Sequence, residues 1–131
     1  MDKPEFHALG HGPMPASRQL EVFPSHSAPG ALSVSMECSE FTCRCPVTHQ
    51  PDWARIHMVY VPDKHVLESK SLKLYLETYR EEGIFHEHLA QLILDDLVAA
   101  LHPLECAVTV HFNVRGGIAI SAEAKLVSSD Q

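Results

Sequence analysis

The stretch that most constrains this chain is Phe41-Thr42-Cys43-Arg44-Cys45-Pro46-Val47-Thr48-His49-Gln50-Pro51-Asp52. Pro46 and Pro51 lack the backbone donor that a helix or a central strand needs, so neither is expected to run through it. The stretch separates two runs of alternating polarity. Before it, Leu32, Val34, Met36 and Cys38 alternate with Ser33, Ser35, Glu37 and Ser39. After it, Ile56, Met58 and Tyr60 alternate with His57, Val59 and Val61. A period of two marks a strand with one apolar face, and Pro62-Asp63 is a turn signal that closes the second strand. The loop between them, stiffened by two prolines, can present a thiol and a carboxyl to one cavity. Cys45 is the candidate nucleophile there, and Asp52 the candidate proton donor.

The period then changes. Leu72, Tyr75, Leu76 and Tyr79 fall at i, i+3, i+4 and i+7, one face of a helix. Ser69 or Ser71 can cap its start, and Gly83 suits its end. A second helix is expected from about His86 to Leu101, with Leu89, Leu92, Ile93, Leu97 and Leu101 inward and Pro103 stopping it. Two more strands follow: Cys106, Val108, Val110, Phe112 and Val114 share one face, then come Ile118 and Ile120. Arg115-Gly116-Gly117 reads as a tight hairpin turn, because glycine accepts positive φ. One sheet face is apolar and can take both helices; the other carries Ser33, Ser35, Glu37, Thr109, His111 and Asn113. The fold class is α+β, a four-stranded antiparallel sheet with two helices on one face. So small a sheet has open edges, and edge-to-edge assembly into a ring or barrel would close them.

The length of 131 residues fits one domain. Residues 1–30 read as an arm rich in proline, glycine and histidine, with Val22 and Phe23 pinning its end; residues 31–131 form the folded domain. His7, His11 and His26 could make a metal tract, but solvated histidines on a tail are the plainer reading. The net charge of -7 argues against a nucleic-acid partner, which requires a basic patch. A small anionic ligand held by local cations is still allowed. No apolar run reaches the roughly 20 residues of a spanning helix, and no signal-peptide core is present, so a cytoplasmic location without membrane attachment is expected. Four cysteines do not make a disulfide scaffold; in a reducing compartment they are free, metal-bound or catalytic.

Read from the loop alone, a structural Cys45 and a turn-forming Asp52 would suffice. Two chemical rivals stand beside the catalytic reading. Cys38, Cys43, Cys45 and His49, helped by His86 and His88, could supply zinc ligands to a non-catalytic module. Their Cys-x-Cys spacing lacks the paired Cys-x-x-Cys knuckles of structural zinc sites, and no metal is expected. A thiol hydrolase or amidotransferase would pair Cys45 with a histidine.

Four motifs, in order, decide among these. Cys45 to Asp52 stands as Cys-Pro-x-Thr-x-Gln-Pro-Asp, and Glu68 to Tyr75 as Glu-Ser-Lys-Ser-Leu-Lys-Leu-Tyr. Phe85-His86-Glu87 and Arg115-Gly116-Gly117 follow. From about Phe23 onward the chain resembles the NADPH-dependent 7-cyano-7-deazaguanine reductases of queuosine biosynthesis, nitrile reductases of the tunnelling fold. The resemblance implies oligomeric barrels, with pentameric rings paired into a decamer and sites at subunit contacts. It also implies that Cys45 adds to the nitrile carbon to give a thioimidate. Asp52 takes the thiol proton and delivers it to the nitrile nitrogen, a role that suits a partly buried carboxyl of raised pKa. Two hydrides from NADPH then carry the adduct through an imine to the amine.

The same resemblance implies the binding residues. Glu87 accepts hydrogen bonds from the guanine-like edge, Phe85 stacks on the base, and His86 relays a proton or binds an intermediate. Leu67, Glu68 and Ser69 supply further substrate contacts. The resemblance also implies that Lys70, Lys73 and Arg115 hold NADPH phosphates. Separately, no Gly-x-Gly-x-x-Gly dinucleotide motif is present, so the cofactor site is not Rossmann-like. In some members a cysteine in the second helix protects the nucleophile as a disulfide. Here Leu89 occupies that place, leaving Cys38 or Cys43 as the available substitutes. A related branch of the fold adds ammonia to the same nitrile; the intact Glu68–Tyr75 motif argues against that branch.

Overall fold

The computed structural model describes residues 6, 8, 9 and 14–127; His7 and His11 of the arm lie outside them. Eight elements follow in order: β1 (Val22–Pro24), β2 (Val34–Arg44), β3 (Pro51–Val61), β4 (His65–Leu67), α1 (Ser69–Glu77), α2 (His86–Leu101), β5 (Glu105–Phe112) and β6 (Ser121–Lys125). β2, β3, β5 and β6 form one antiparallel four-stranded sheet in that order. The α+β architecture expected from the alternation is therefore present. Ile56, Met58, Tyr60, Val108 and Val110 point into the core and meet Tyr75, Leu89, Ile93, Leu97 and Leu101 from the helices. Each such large apolar side chain contributes roughly 1.5–3 kcal/mol on burial.

The strands on either side of the loop run further than the prolines suggested. β2 continues to Arg44 and β3 starts at Pro51, so Asp52 is a strand residue, not a loop residue. A proline is tolerated as the first residue of a strand because no partner there needs its missing N–H. β2 reaches so far by means of a bulge: Cys38 pairs with Ile56, but Phe41 pairs with Ala54. The extra residue moves the inward row from even to odd positions. Val34, Met36 and Cys38 face the helices first, then Phe41 and Cys43. The bulge thereby turns Cys43 inward, opposite Asp52 in register.

Other boundaries also shift. β1 and β4 form a small second sheet, with Phe23 opposite Val66, so Val22 and Phe23 do pin the arm. The arm then lies along α1: the Glu21 amide donates to Ser71 Oγ (3.0 Å) and the Glu68 amide to the Glu21 carbonyl (2.9 Å). α1 is capped by Glu68, not by Ser69 or Ser71, and ends at Thr78, well before Gly83. α2 matches its expected span, and His102, in the left-handed conformation at φ 46, ends it before Pro103. Leu92, expected inward, is 36% exposed; Ala90 and Leu94 are buried instead.

The last strand is Ser121–Lys125, not the Ile118–Ile120 region, and Val114 lies outside β5. Gly116 and Gly117, at φ 58 and 79, make the expected two-residue turn between Arg115 and Ile118. That turn carries Val114 and Ile118 into solvent, at 65% and 63% exposure. The small side chains Ala122 and Ala124, not the isoleucines, face α2. The polar sheet face is laced by short contacts, including Ser35 to His57 and His111 to Ser121, both at 2.8 Å.

Candidate active site

Four of the predicted functional residues converge at one end of the domain. Cys45 opens the hairpin loop between β2 and β3. Asp52 is the terminal member of the inward row of β3 and is 1% exposed. His86 is the first residue of α2, and its Nε2 lies 3.2 Å from Asp52 Oδ2. Arg115, in the β5–β6 hairpin, donates from Nη1 to Asp52 Oδ1. A row that is otherwise apolar thus ends in a carboxylate, and that carboxylate is held by a guanidinium and an imidazole. The pairing satisfies a charge that would otherwise be costly to bury.

The loop acts on the thiol. Cys45 donates its amide to the Gln50 carbonyl and accepts the His49 amide on its own carbonyl, both at 2.9 Å. The Thr48 hydroxyl and the amides of Thr48 and Val47 donate to the sulfur and, with a smaller contribution from Arg115, lower the Cys45 thiol to about 7. Such donors favour the thiolate over the thiol. Cys43, two residues away, is fully buried, and burial pushes its thiol up to about 11. Of the two neighbouring cysteines, Cys45 therefore carries the more acidic thiol.

His86 is held flat against Phe112, with ring centroids 3.4 Å apart and planes 10° apart. Burial pushes its imidazole below the ordinary value, while Glu87 pulls the other way. Glu87, exposed in the first turn of α2, is electrostatically favoured there. Phe85, just before the helix, is 53% exposed.

The second group of predicted residues lies elsewhere. The Leu67 amide donates to Tyr60 Oη at 2.9 Å, and Tyr60 stands eight residues along β3 from Asp52. At about 3.3 Å per residue, that strand alone separates the two by roughly 26 Å. Leu67 and Glu68 are buried, and both Glu68 carboxylate oxygens are occupied: Oε2 accepts from the Lys70 amide (2.7 Å) and Oε1 from the Ser71 amide (2.8 Å). Ser69 and Lys73 line a hollow of about 430 Å³ between α1 and β2, together with Leu72, Leu76, Phe41 and Arg80. Lys70 is half-buried on the same helix.

Thr48, beside Cys45, and Phe112, stacked on His86, were not singled out from the sequence. Thr48 had a signal, as the fixed threonine of the Cys-Pro-x-Thr motif. Phe112 had none beyond its place in an apolar row. Among the described residues, no three His, Cys, Asp or Glu side chains are arranged to hold a metal ion.

The family model for QueF-like proteins matches residues 51–131. The chain belongs to the QueF-like family. A relative from Frankia casuarinae, an NADPH-dependent 7-cyano-7-deazaguanine reductase, is 59% identical over 116 residues, covering 88% of this chain and 91% of that one. Reductases of the same name from Syntrophus aciditrophicus and Halorhodospira halophila are 58% and 49% identical, each covering 83% of this chain and 78% and 92% of their own. A crystal structure of an apo archaeosine synthase, QueF-Like, superimposes with a TM-score of 0.67 at 27% identity, covering 71% of this chain and 91% of that one. The T-fold architecture of this family accounts for the antiparallel sheet with both helices on one face. No helix among the described residues is long and apolar enough to cross a membrane.

Proposed function

We infer that this QueF-like chain is an NADPH-dependent reductase that converts the nitrile of 7-cyano-7-deazaguanine to an aminomethyl group, within queuosine biosynthesis. The observation that carries the inference is its 49–59% identity to reductases of that name over more than four-fifths of the chain. The solved archaeosine synthase, QueF-Like, is 27% identical to this chain.

In this reading Cys45 attacks the nitrile carbon. The C–S bond forms as the carbon–nitrogen triple bond becomes double, and Asp52 passes the thiol proton to nitrogen. His86 stands one hydrogen bond from Asp52 and serves as the next proton carrier. Glu87 and Phe85 bind the deazaguanine edge and face. NADPH, when bound, supplies the hydrides. Its fit is supported by Lys73 and Arg80 beside an apolar floor, with Lys70 as a further cation for phosphate. Arg115 gives only Nη1 to Asp52 and its side chain is 45% exposed, so its other nitrogens can meet a phosphate without breaking that pair.

Leu67, Glu68 and Ser69 cannot join Cys45 within one chain, given the length of β3. We place them in the site of a neighbouring copy, in rings of five that pair into ten. Exposed Val47, Trp53, Phe85, Val114 and Ile118 surround the Cys45 end of the domain, as an apolar rim for that contact. The location is cytoplasmic. Purified protein given NADPH and 7-cyano-7-deazaguanine, followed by NADPH absorbance and mass spectrometry, should consume two NADPH per amine. Conversion of the nitrile with ammonia and without NADPH would replace this reading with the amidine-forming one.

A further inference from the structure

Arg44 is the last residue of β2, and its backbone groups face away from β3. They are taken up by the segment that precedes α2: the Arg44 amide donates to the Glu82 carbonyl (2.9 Å), and the Ile84 amide to the Arg44 carbonyl (3.0 Å). Gly83, between those two partners, lets the segment approach closely. A Cβ added there would lie 3.0 Å from Pro46 Cα. The guanidinium then reaches both sides of the junction. Nε and Nη2 meet Glu81 Oε2 at 2.8 and 2.7 Å, and Nη1 donates to the His49 carbonyl at 2.9 Å. His49 is a non-glycine residue at φ 61, a conformation that such residues rarely adopt without support.

We propose that Arg44 is a positioning residue for Cys45, stapling the thiol loop to Glu81–Ile84 and holding His49 in the left-handed conformation that closes the loop around the sulfur. The proposal rests on the reading of Cys45 as the nucleophile. With His49 held, the loop keeps Val47 and Thr48, the residues that lower the thiol, beside Cys45. Arg115, not Arg44, is the cation that acts directly on that sulfur. The influence of Arg44 therefore runs through loop geometry.

The test is the pH dependence of Cys45 alkylation by iodoacetamide in the full chain, read by mass spectrometry of the Cys45 peptide. It needs neither nitrile nor NADPH, so it is independent of whether the chain reduces a nitrile. The midpoint is read, not the rate at one pH, because thiolate nucleophilicity itself changes with acidity. Arg44→Ala should raise the midpoint by about one unit or more, toward the free-cysteine value near 8.5. Adding His49→Gly should bring it back toward the parent, since glycine adopts positive φ without support. Arg44→Gln keeps one donor for the His49 carbonyl; it should shift the midpoint less, and it carries the test if the alanine variant does not fold. An unchanged midpoint in Arg44→Ala overturns the proposal. A raised midpoint that His49→Gly leaves in place also overturns it.

Discussion

Glu68→Ala should unfold this protein at a distinctly lower temperature, although the resemblance assigns Glu68 to the substrate. Its carboxylate is 3% exposed and accepts two backbone amides at the start of α1, at 2.7 and 2.8 Å. Losing a helix N-cap costs about 0.5–2 kcal/mol, and each buried donor left without a partner costs about 1–3 kcal/mol. The Ser71 amide is buried and the Lys70 amide is partly wet, so the sum is about 2–4 kcal/mol. For 131 residues, with an unfolding entropy of roughly 2.1 cal/mol/K per residue, this lowers Tm by roughly 7–15 °C. Glu68→Gln retains one strong acceptor and should lose about half as much. The assay is thermal unfolding by circular dichroism at matched protein concentration, because assembly makes Tm concentration-dependent. An alanine variant within about 2 °C of the parent, or a glutamine variant as unstable as alanine, would refute the capping argument.

Cys45→Ala should abolish turnover and the covalent adduct while leaving Tm unchanged; retained turnover there, with loss in Cys43→Ala, would transfer the nucleophile to Cys43. In the parent, alkylation of Cys45 should rise with pH through about 7, where the thiol becomes thiolate, while Cys43, near 11, stays unlabelled; equal labelling of both at pH 8 would contradict the contrast in their surroundings. Glu87→Ala should weaken nitrile binding about 10- to 150-fold, from the loss of about 1.5–3 kcal/mol in charge-assisted hydrogen bonds, with Tm held because Glu87 is exposed; unchanged affinity by calorimetry would remove it from recognition. Gly83→Ala forces Pro46 to move and should cost about 1–3 kcal/mol as overpacking, read as a lower urea midpoint; an unchanged midpoint would mean that the loop yields freely.

Periodicity in the sequence was enough to place Val108 and Val110, Ile56 and Met58, and Leu89, Ile93, Leu97 and Leu101 of α2, because each depends only on which side of a strand or helix a residue occupies. The Gly116-Gly117 turn was legible for a similar reason, since few residues adopt its backbone. Motif order pointed to Cys45, Asp52, His86 and Arg115 as partners of one reaction. Their grouping around the Asp52 carboxylate was decided by tertiary structure. The bulge after Cys38 reverses the inward parity of β2 and puts Cys43 opposite Asp52, and alternation cannot reveal one extra residue. Competition between capping groups gave the start of α1 to Glu68 instead of a serine, because a carboxylate can serve two amides at once. The separation of Leu67 and Glu68 from Cys45 is likewise invisible in one dimension. It follows from the full length of β3, which holds the two halves of the motif set at opposite ends of a single subunit.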